Sequence, residues 1–235
     1  MAERYLRHLA HHPATARTIA TKLAWRFVSD HPSNALINQL AKRYSASGTN
    51  IAATLRALVE HPEFASSQRT KVRNPIEDFV ATVRVLDVKA KKPTPSGWPF
   101  ASAQIRMCQG QYPFQWPRPD GIPQTNAAWS SASQVLGSLD LHYSMSGVWI
   151  GDEGSVSYRS YRSWLPAERI RFDSLVDHLS RVLLARPSSD RLLKAACQAT
   201  GVHARESITE DHAVVRWLMP RLLTAVLDTP AHMSR

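Results

Sequence analysis

The sequence predicts an all-α protein, an irregular orthogonal bundle of helices with a long loop rich in proline and aromatic residues. Two observations support this fold class. Apolar residues recur with the 3.6-residue period of amphipathic helices through most of the chain, and helix start and stop signals lie at the ends of these stretches. The 235 residues, 43% of them hydrophobic, are enough to bury a core without a covalent cross-link.

Eight segments carry apolar side chains along one helical face. These stripes run through residues 16–27, 36–44, 51–59, 76–86, 129–143, 172–183, 192–196 and 215–226. Since an apolar stripe of this kind normally faces a core, we expect its members to be buried. Among them are Val80, Leu136, Tyr143 and Val182.

Proline marks several of the predicted helix ends. His12-Pro13 and His31-Pro32 predict helix starts, and His61-Pro62 predicts the end of a helix. The run Asn74-Pro75-Ile76-Glu77 predicts a capping box, with a proline at the first helical position. Pro220 should kink or split the last helix, because its ring crowds the carbonyl of Arg216.

Other residues give the ends of the C-terminal helices. Thr209, followed by Glu210 and Asp211, predicts a helix start because the two carboxylates suit the positive end of a helix. Gly201 follows the 192–196 stripe, as a glycine that ends a helix would.

Two stretches are predicted not to be helical. Residues 89–126 hold nearly half of the 15 prolines, and a long irregular segment of this kind is usually functional or disordered. Residues 147–164 are a candidate for one small hairpin, in which Val148-Trp149-Ile150 would pair with Ser155–Tyr158. We expect a main helical domain over 1–150, which includes the loop, and a C-terminal helical subdomain over 165–235 packed on it.

The chain is strongly basic, with a net charge of +10 and a pI near 10.1. Residues 1–75 hold 11 basic and four acidic side chains, so most of the excess lies in the first third. A basic face attracts an anionic polymer, or it docks on a partner protein. Specific nucleic-acid binding is disfavoured because the arginines are spread singly and are not interleaved with aromatic residues.

The sequence contains none of the familiar catalytic signatures, so we expect no cofactor and leave the question of catalysis open. Cys108 and Cys197 are far apart and are expected to be buried thiols.

Histidine occurs in two groups that are candidate metal sites. One is His8, His11 and His12, and the other is His203, Glu206, Glu210, Asp211 and His212. The first lacks a carboxylate or thiolate and two acids of the second are explained as helix-start charges, so no metal is predicted at either.

The aromatic part of the proline-rich loop is the best candidate for a ligand site. Rigid aromatic rings beside a charge pair can stack on a sugar ring or a peptide, and irregular loops on rigid scaffolds often carry binding. The candidate residues are Trp98, Tyr112, Trp116, Arg118, Asp120 and Trp129. The alternative is that these rings pin a long loop to the helical core.

A series of short motifs resembles the bacterial family catalogued as domain of unknown function 1800. The match is strong over residues 12–130 and continues to the C-terminus. Its motifs are His12–Arg17, Lys22-Leu23, Arg26–Asp30, Ser47-Gly48, Leu55–Leu58, His61–Phe64, Lys71–Pro75, Gly110-Gln111, Trp116-Pro117, Pro119–Gly121 and Trp129. Members of that family are longer at the N-terminus and many look exported. The resemblance therefore implies that this chain corresponds to their C-terminal half and that a missing N-terminal half is its partner.

Together these observations predict a helical binding or scaffold module, the C-terminal part of a larger bacterial protein. In this interpretation the aromatic loop contacts a partner or glycan and the basic N-terminal helices dock on the absent half. One alternative is part of an enzyme whose site is completed by that half, with Asp120, Arg118 and Glu77 as the first residues to test. Another is a basic polyanion binder.

The N-terminus has no apolar segment typical of a secretory signal, and no apolar stretch is long enough to span a membrane. The chain as written therefore predicts a cytoplasmic protein.

Overall fold

The structure, a computed structural model, describes residues 1–90, 111, 116, 118–150 and 156–235. These residues are mostly helical, which confirms the predicted all-α class. No helix among them combines the length and the apolar character needed to cross a membrane. The chain forms two compact units. The first comprises residues 1–72, 122–128 and 234–235, and the second comprises 73–121 and 129–233.

The first unit is built on five helices and a small core. The helices are α1 (Ala2–His11), α2 (Pro13–Phe27), α3 (Asn34–Ala46), α4 (Ile51–Val59) and α5 (Pro62–Ser66). Helix α2 buries three alanines four residues apart, Ala16, Ala20 and Ala24, so that α3 can pack closely against it. The core is completed by side chains from α3 and α4, which are Leu36, Ile37, Leu40 and Leu58.

The three His-Pro pairs have different outcomes. Helix α2 starts at Pro13, as predicted, and His12 caps it, with Nδ1 accepting a hydrogen bond from the Ala14 N–H at 3.1 Å. The second pair does not start a helix. Helix α3 begins two residues later, because the Ser33 hydroxyl accepts from the Leu36 N–H and provides the cap. The prediction for His61 was incomplete: α4 ends before it, but its ring also caps α5.

A buried ion pair ties distant segments of the first unit together. The Lys71 ammonium, only 4% exposed, is bonded to the Asp30 carboxylate and to the Gln124 carbonyl. The other Asp30 oxygen accepts from the Asn126 N–H at 2.7 Å, at the start of α7 (Asn126–Trp129). Burial alone would raise the pKa of Asp30, but the hydrogen bonds from Lys71 and Asn126 outweigh it and hold that pKa below its ordinary value.

The second unit contains the remaining helices and all four short strands. Its elements in chain order are α6 (Pro75–Val85), β1 (Lys89–Ala90), α8 (Ala132–Ser146), β2 (Val156–Ser157), a 3₁₀ turn (Tyr161–Trp164), β3 (Arg169–Arg171), α9 (Phe172–Leu184), α10 (Asp190–Thr200), β4 (Ser207–Thr209), a π-helical segment (Val214–Leu218), α11 (Met219–Leu227) and α12 (Pro230–Met233). Its core lies between α9 and α11. The largest fully buried side chains of this core are Met145, Trp164, Phe172, Leu175, Leu179, Ile208, Met219, Leu222 and Leu223.

The strands form two antiparallel pairs, and neither pair is the predicted hairpin. Strand β2 does form near the expected position, but it pairs with β1, so that Ala90 lies opposite Val156. The expected partner segment 148–150 is not a strand, and residues 151–155 lie outside the described part of the chain. Strand β3 pairs with β4.

The helix start predicted at Thr209 is wrong, because that residue ends strand β4, where Thr209 pairs with Arg169. The chain then turns, and the His212 ring accepts from the Val214 N–H at 3.1 Å. The helical segment therefore begins just after His212, a few residues later than predicted, with Glu210 and Asp211 immediately before it.

The capping box of α6 and the helix end at Gly201, both predicted in the second unit, are confirmed. Asn74 and Glu77 form the capping box of α6: Asn74 Oδ1 accepts from the Glu77 N–H at 2.9 Å, and Glu77 Oε2 accepts from the Asn74 N–H at 3.2 Å. At Pro220 the last long helix is continuous but changes geometry, because a π-helical segment (Val214–Leu218) runs directly into α11, which begins at Met219. Gly201 ends α10 in the left-handed conformation, at φ +72°. Cys197 is a free, half-buried thiol, and Cys108 lies outside the described residues.

Asp30→Asn should destabilise the first unit in a pH-dependent way. At about pH 7 the substitution leaves the Lys71 ammonium buried beside a neutral amide, which should cost about 3 kcal/mol of unfolding free energy. Because the folded pKa of Asp30 is lowered, the carboxylate stabilises the fold above its ordinary pKa of about 3.9, and this stabilisation is lost as the pH falls through the folded value.

Urea unfolding of the parent and variant chains, followed by circular dichroism at about pH 7, 5 and 3, tests this expectation. The difference in midpoint should shrink towards the lowest pH. Glu3→Gln is the control, because the Glu3–Arg7 pair is exposed and should contribute little at any pH. A difference that stays constant over this range would contradict the role given to the Asp30 carboxylate.

Candidate ligand-binding site and its buried charge network

Helices α6 and α8 turn polar faces into the second unit. The buried side chains of α6 include Asp78 and Thr82, which are one turn apart. Those of α8 include Gln134, Ser138 and His142, also at successive turns. The prediction that the apolar stripes of these helices lie in the core is therefore wrong at several positions: Leu136 is 65% exposed, and Val80 and Tyr143 are also exposed.

His142 lies between two carboxylates at the centre of this polar region. Its Nε2 is 3.1 Å from Asp78 Oδ1, and its Nδ1 is 2.8 Å from Asp228 Oδ1, just after α11. The His142 side chain is fully buried, the Asp78 side chain is 3% exposed and the Asp228 side chain is 28% exposed. The three groups form a charged chain that leads from the interior towards the surface.

The charge state of this network follows from its hydrogen bonds. Burial by itself would lower the pKa of His142, but the bonds to Asp228 and Asp78 outweigh it and raise that pKa. Burial would likewise raise the pKa of Asp78, but the hydrogen bonds from His142 and Ser138, together with the positive charge of His142, outweigh burial and lower that pKa. The imidazole therefore carries both ring protons and donates one to each carboxylate.

A second histidine lies against the same group. The His232 ring, on α12, packs edge-on against the His142 ring with 5.1 Å between centroids. Its Nε2 is 3.0 Å from Thr82 Oγ1 and 3.7 Å from Asp78 Oδ1. Burial, together with the positive charges of His142 and Arg73, lowers the pKa of His232 to about 3, so this ring is neutral.

A cavity of about 700 Å³ adjoins the exposed end of the network. It lies among α9, α10, α11 and α12, and Asp228 forms part of its wall. Its apolar lining comes from Leu184, Leu192, Ala195 and Ala199. This volume is typical of pockets that take a small organic ligand.

The positive side of the cavity is formed by arginines at three places in the fold. Arg186 follows α9, Arg191 is in the first turn of α10 and Arg221 is in α11. All three are exposed, and none has an ion-pair or hydrogen-bond partner among the described residues. Against these three positive charges the lining offers one carboxylate, Asp228, which already bonds to His142.

Local interactions position these groups. Helix α9 ends at Ala185, which is left-handed at φ 53°, and the Asp177 carboxylate accepts from the Ser188 N–H at 2.8 Å, which holds the loop that carries Arg186. Ser189 then caps α10. Ser180, on α9, adds a hydroxyl to the wall. This residue is 1% exposed and its oxygen has no hydrogen-bond partner among the described residues.

The arrangement is suited to binding an anion that has an apolar body. Guanidinium groups recognise carboxylate, sulfate and phosphate by charge-assisted hydrogen bonds, and the alkyl lining accepts hydrocarbon. The His142 imidazole is fully buried and is not exposed to a bound molecule. Its contribution is to hold Asp228, and with it the start of α12, in a fixed position.

The structure describes four of the six residues predicted as a ligand site. Trp116 and Trp129 do come together, with 6.4 Å between ring centroids and 60° between the planes. Arg118 and Asp120 form an exposed ion pair at 3.8 Å. Trp98 and Tyr112 lie outside the described residues. The predicted stacking site stays a prediction.

The two histidine groups weighed as metal sites are held by other interactions. His12 is used as the cap of α2, with its ring 6.2 Å from that of His8. In the C-terminal group, Glu206 and His212 pair at 3.0 Å. Glu210 and Asp211 bond instead to arginines, at 2.5 Å from Arg162 and 2.6 Å from Arg216.

Sequence reasoning missed the buried network and the cavity. One signal was present: polar residues recur at one-turn spacing in α6 and α8, as Asp78 and Thr82 and as Gln134, Ser138 and His142. When each helix is considered alone, such a polar stripe predicts a solvent-exposed face. The link to Asp228 spans 86 residues and has no local signature.

Fold and site together describe a mostly helical protein with a polar, charged interior beside an arginine-lined cavity. The chain belongs to the DUF1800 family, described as "Protein of unknown function (DUF1800)", whose model matches residues 1–234. The match confirms the predicted resemblance and extends it over essentially the whole chain. No curated protein and no solved structure matches this sequence.

Asp228→Asn should weaken the second unit more than a like change on the exposed side of α8. The amide keeps the shape of the carboxylate but removes the charge that faces the buried imidazolium, so we expect a loss of about 1–3 kcal/mol of unfolding free energy. Asp140→Asn, on the exposed side of α8, is the matched control and should cost little. Urea midpoints measure both, and equal effects would contradict the network.

Proposed function

We propose that this protein is a helical binding module whose cavity in the second unit holds an anionic ligand with an apolar body. The observation that carries the proposal is the convergence of three arginines, without partners among the described residues, on one cavity of small-molecule size. Fatty acids and aromatic carboxylates or sulfonates have this combination of an anionic head and a hydrophobic body.

The apolar part of the lining supports an organic anion over a simple ion. Leu184, Leu192, Ala195 and Ala199 give an inorganic anion nothing to bind, whereas each Å² of ligand hydrocarbon that they cover contributes about 25 cal/mol. The Asp228 carboxylate disfavours an anionic group at its own end, so the head group should lie beside the arginines.

Charge reversal at the cavity should weaken the binding of an anionic amphiphile. The probe is anilinonaphthalene sulfonate, followed by fluorescence, with decanoate as competitor. Arg191→Glu and Arg221→Glu should each weaken binding by about tenfold or more, since each removes a charge-assisted hydrogen bond and adds a repulsive charge. Arg205→Glu, an exposed residue of the same unit outside the cavity, should leave binding unchanged.

Two further measurements exclude non-specific hydrophobic binding of the probe. A long-chain trimethylammonium ion should fail to displace the probe, and Ala195→Trp, which fills the cavity from α10, should remove binding while the circular dichroism spectrum is kept. Equal displacement by the cationic amphiphile, or an unchanged affinity in the two glutamate variants, would contradict the proposal.

A second binding surface is supported by the Trp116–Trp129 pair and the nearby Arg118–Asp120 ion pair. Tilted aromatic rings beside exposed charges suit a sugar or a peptide. We expect Trp116→Ala to reduce retention of the protein by polysaccharides in affinity electrophoresis without a large change in melting temperature.

Trp217→Ala is the matched control for this surface, because Trp217 is an exposed tryptophan elsewhere in the same unit. If Trp116→Ala unfolds the protein, the rings are anchors of the segment and the surface is structural. If both tryptophan variants lose retention equally, the binding is not specific to the Trp116–Trp129 pair.

A further inference from the structure

Three side chains of the buried network come together in the way that metal ligands do. Asp78, His142 and His232 belong to three different helices, α6, α8 and α12. One oxygen of Asp78 and one nitrogen of each ring lie within 4.8 Å of one another. All three residues are buried, and the cavity function proposed above does not use this cluster.

The separations suit a small cation. Ligand bonds of about 2.0–2.1 Å in a tetrahedral zinc site place neighbouring donor atoms about 3.3 Å apart. Here Asp78 Oδ1 is 3.1 Å from His142 Nε2 and 3.7 Å from His232 Nε2. The second distance is too long for a hydrogen bond, so the His232 nitrogen faces the carboxylate without bonding to it. A metal ion placed between these three atoms could bind to all of them.

The surroundings also resemble those of a metal centre. Asp228 bonds to Nδ1 of His142, the ring nitrogen that would remain free of metal, and a carboxylate at that position commonly orients a histidine ligand. Asp78 Oδ1 already faces both rings, and Ser138 forms a hydrogen bond with the Asp78 carboxylate, which would help to orient it as a ligand. Thr82 Oγ1, 3.0 Å from His232 Nε2, is a further oxygen beside the site.

The charges around the cluster can accept a divalent ion in exchange for a proton. In the metal-free state, the proton on His142 Nε2 lies between that ring and Asp78. Binding of a divalent cation would release this proton to solvent, and the two carboxylates Asp78 and Asp228 would balance the ion. Arg73 is the positive side chain that acts on His232 from outside the cluster.

We propose that Asp78, His142 and His232 bind a divalent transition-metal ion, with Zn²⁺ the best match for two imidazoles and one carboxylate. The site is structural. Its ligands are at most 3% exposed, so a bound ion would cross-link α6, α8 and α12 and would not be exposed to substrate.

The experiment uses the full chain without a histidine tag. The protein is treated with a chelator, desalted, incubated with Zn²⁺ or Co²⁺ and desalted again, and bound metal is measured by mass spectrometry. We expect a single ion per chain, a higher melting temperature and the visible absorption of Co²⁺ in a low-symmetry site. Retention of about a tenth of an equivalent or less would overturn the proposal.

Variants assign the ion to the cluster. His232→Phe keeps the ring volume and removes one ligand, and should reduce the bound metal to background with the helical circular dichroism retained. Asp228→Asn should lower the affinity by about 10–100-fold through the orientation of His142. His8→Gln, in the N-terminal histidine group, is the control and should bind as the parent does. Loss of the ion in His8→Gln, or full binding in His232→Phe, would contradict the assignment.

X-ray absorption of the zinc-loaded parent chain keeps the proposal testable if His232→Phe does not fold. The expected first shell contains two imidazole nitrogens and oxygen, at about 2.0–2.1 Å. A sulfur ligand, which would come from cysteine, or a shell with a single imidazole would overturn it.

Discussion

The second unit depends on the need to satisfy a buried charge. His142 carries its proton in the interior because Asp78 and Asp228 accept from both ring nitrogens, and an uncompensated charge in the same place would cost several kcal/mol. Leaving an apolar side chain in water costs less, about 1.5–3 kcal/mol for a leucine. Turning α8 to bury Leu136 would remove His142 from the buried Asp78 carboxylate and leave that charge without this partner, which explains why α8 buries His142 although amphipathic periodicity alone favours the opposite orientation.

The same network connects the interior of this unit to its cavity. Asp228 bonds to His142 on one side and lines the cavity on the other, so the wall near α12 is held by a charged hydrogen bond. The arginines, in contrast, lie in exposed places where their charge is not committed to a partner among the described residues. Three guanidinium groups and a single carboxylate, which already bonds to His142, leave the described lining with an excess of positive charge, and the proposed ligand class needs such an excess.

The first unit uses a buried ion pair in a related way. Lys71 and Asp30 bring residues 122–128 onto the N-terminal helices, through Gln124 and Asn126. The core beside this pair is small and rich in alanine, so the directional bonds contribute specificity that packing alone supplies weakly. In both units, charged side chains distant in sequence decide which segments join.

The sequence by itself determined the features that depend on neighbouring residues. The helical class, the capping box at Asn74, the helix start at Pro13 and the change of helix geometry at Pro220 all follow from spacing and backbone sterics within one or two turns. Only the tertiary structure decided which face of α8 is buried and which strand pairs with Val156–Ser157. The reason is physical: the partners of His142 lie 64 and 86 residues away, and the cost of burying a charge is known only when its partners are in place.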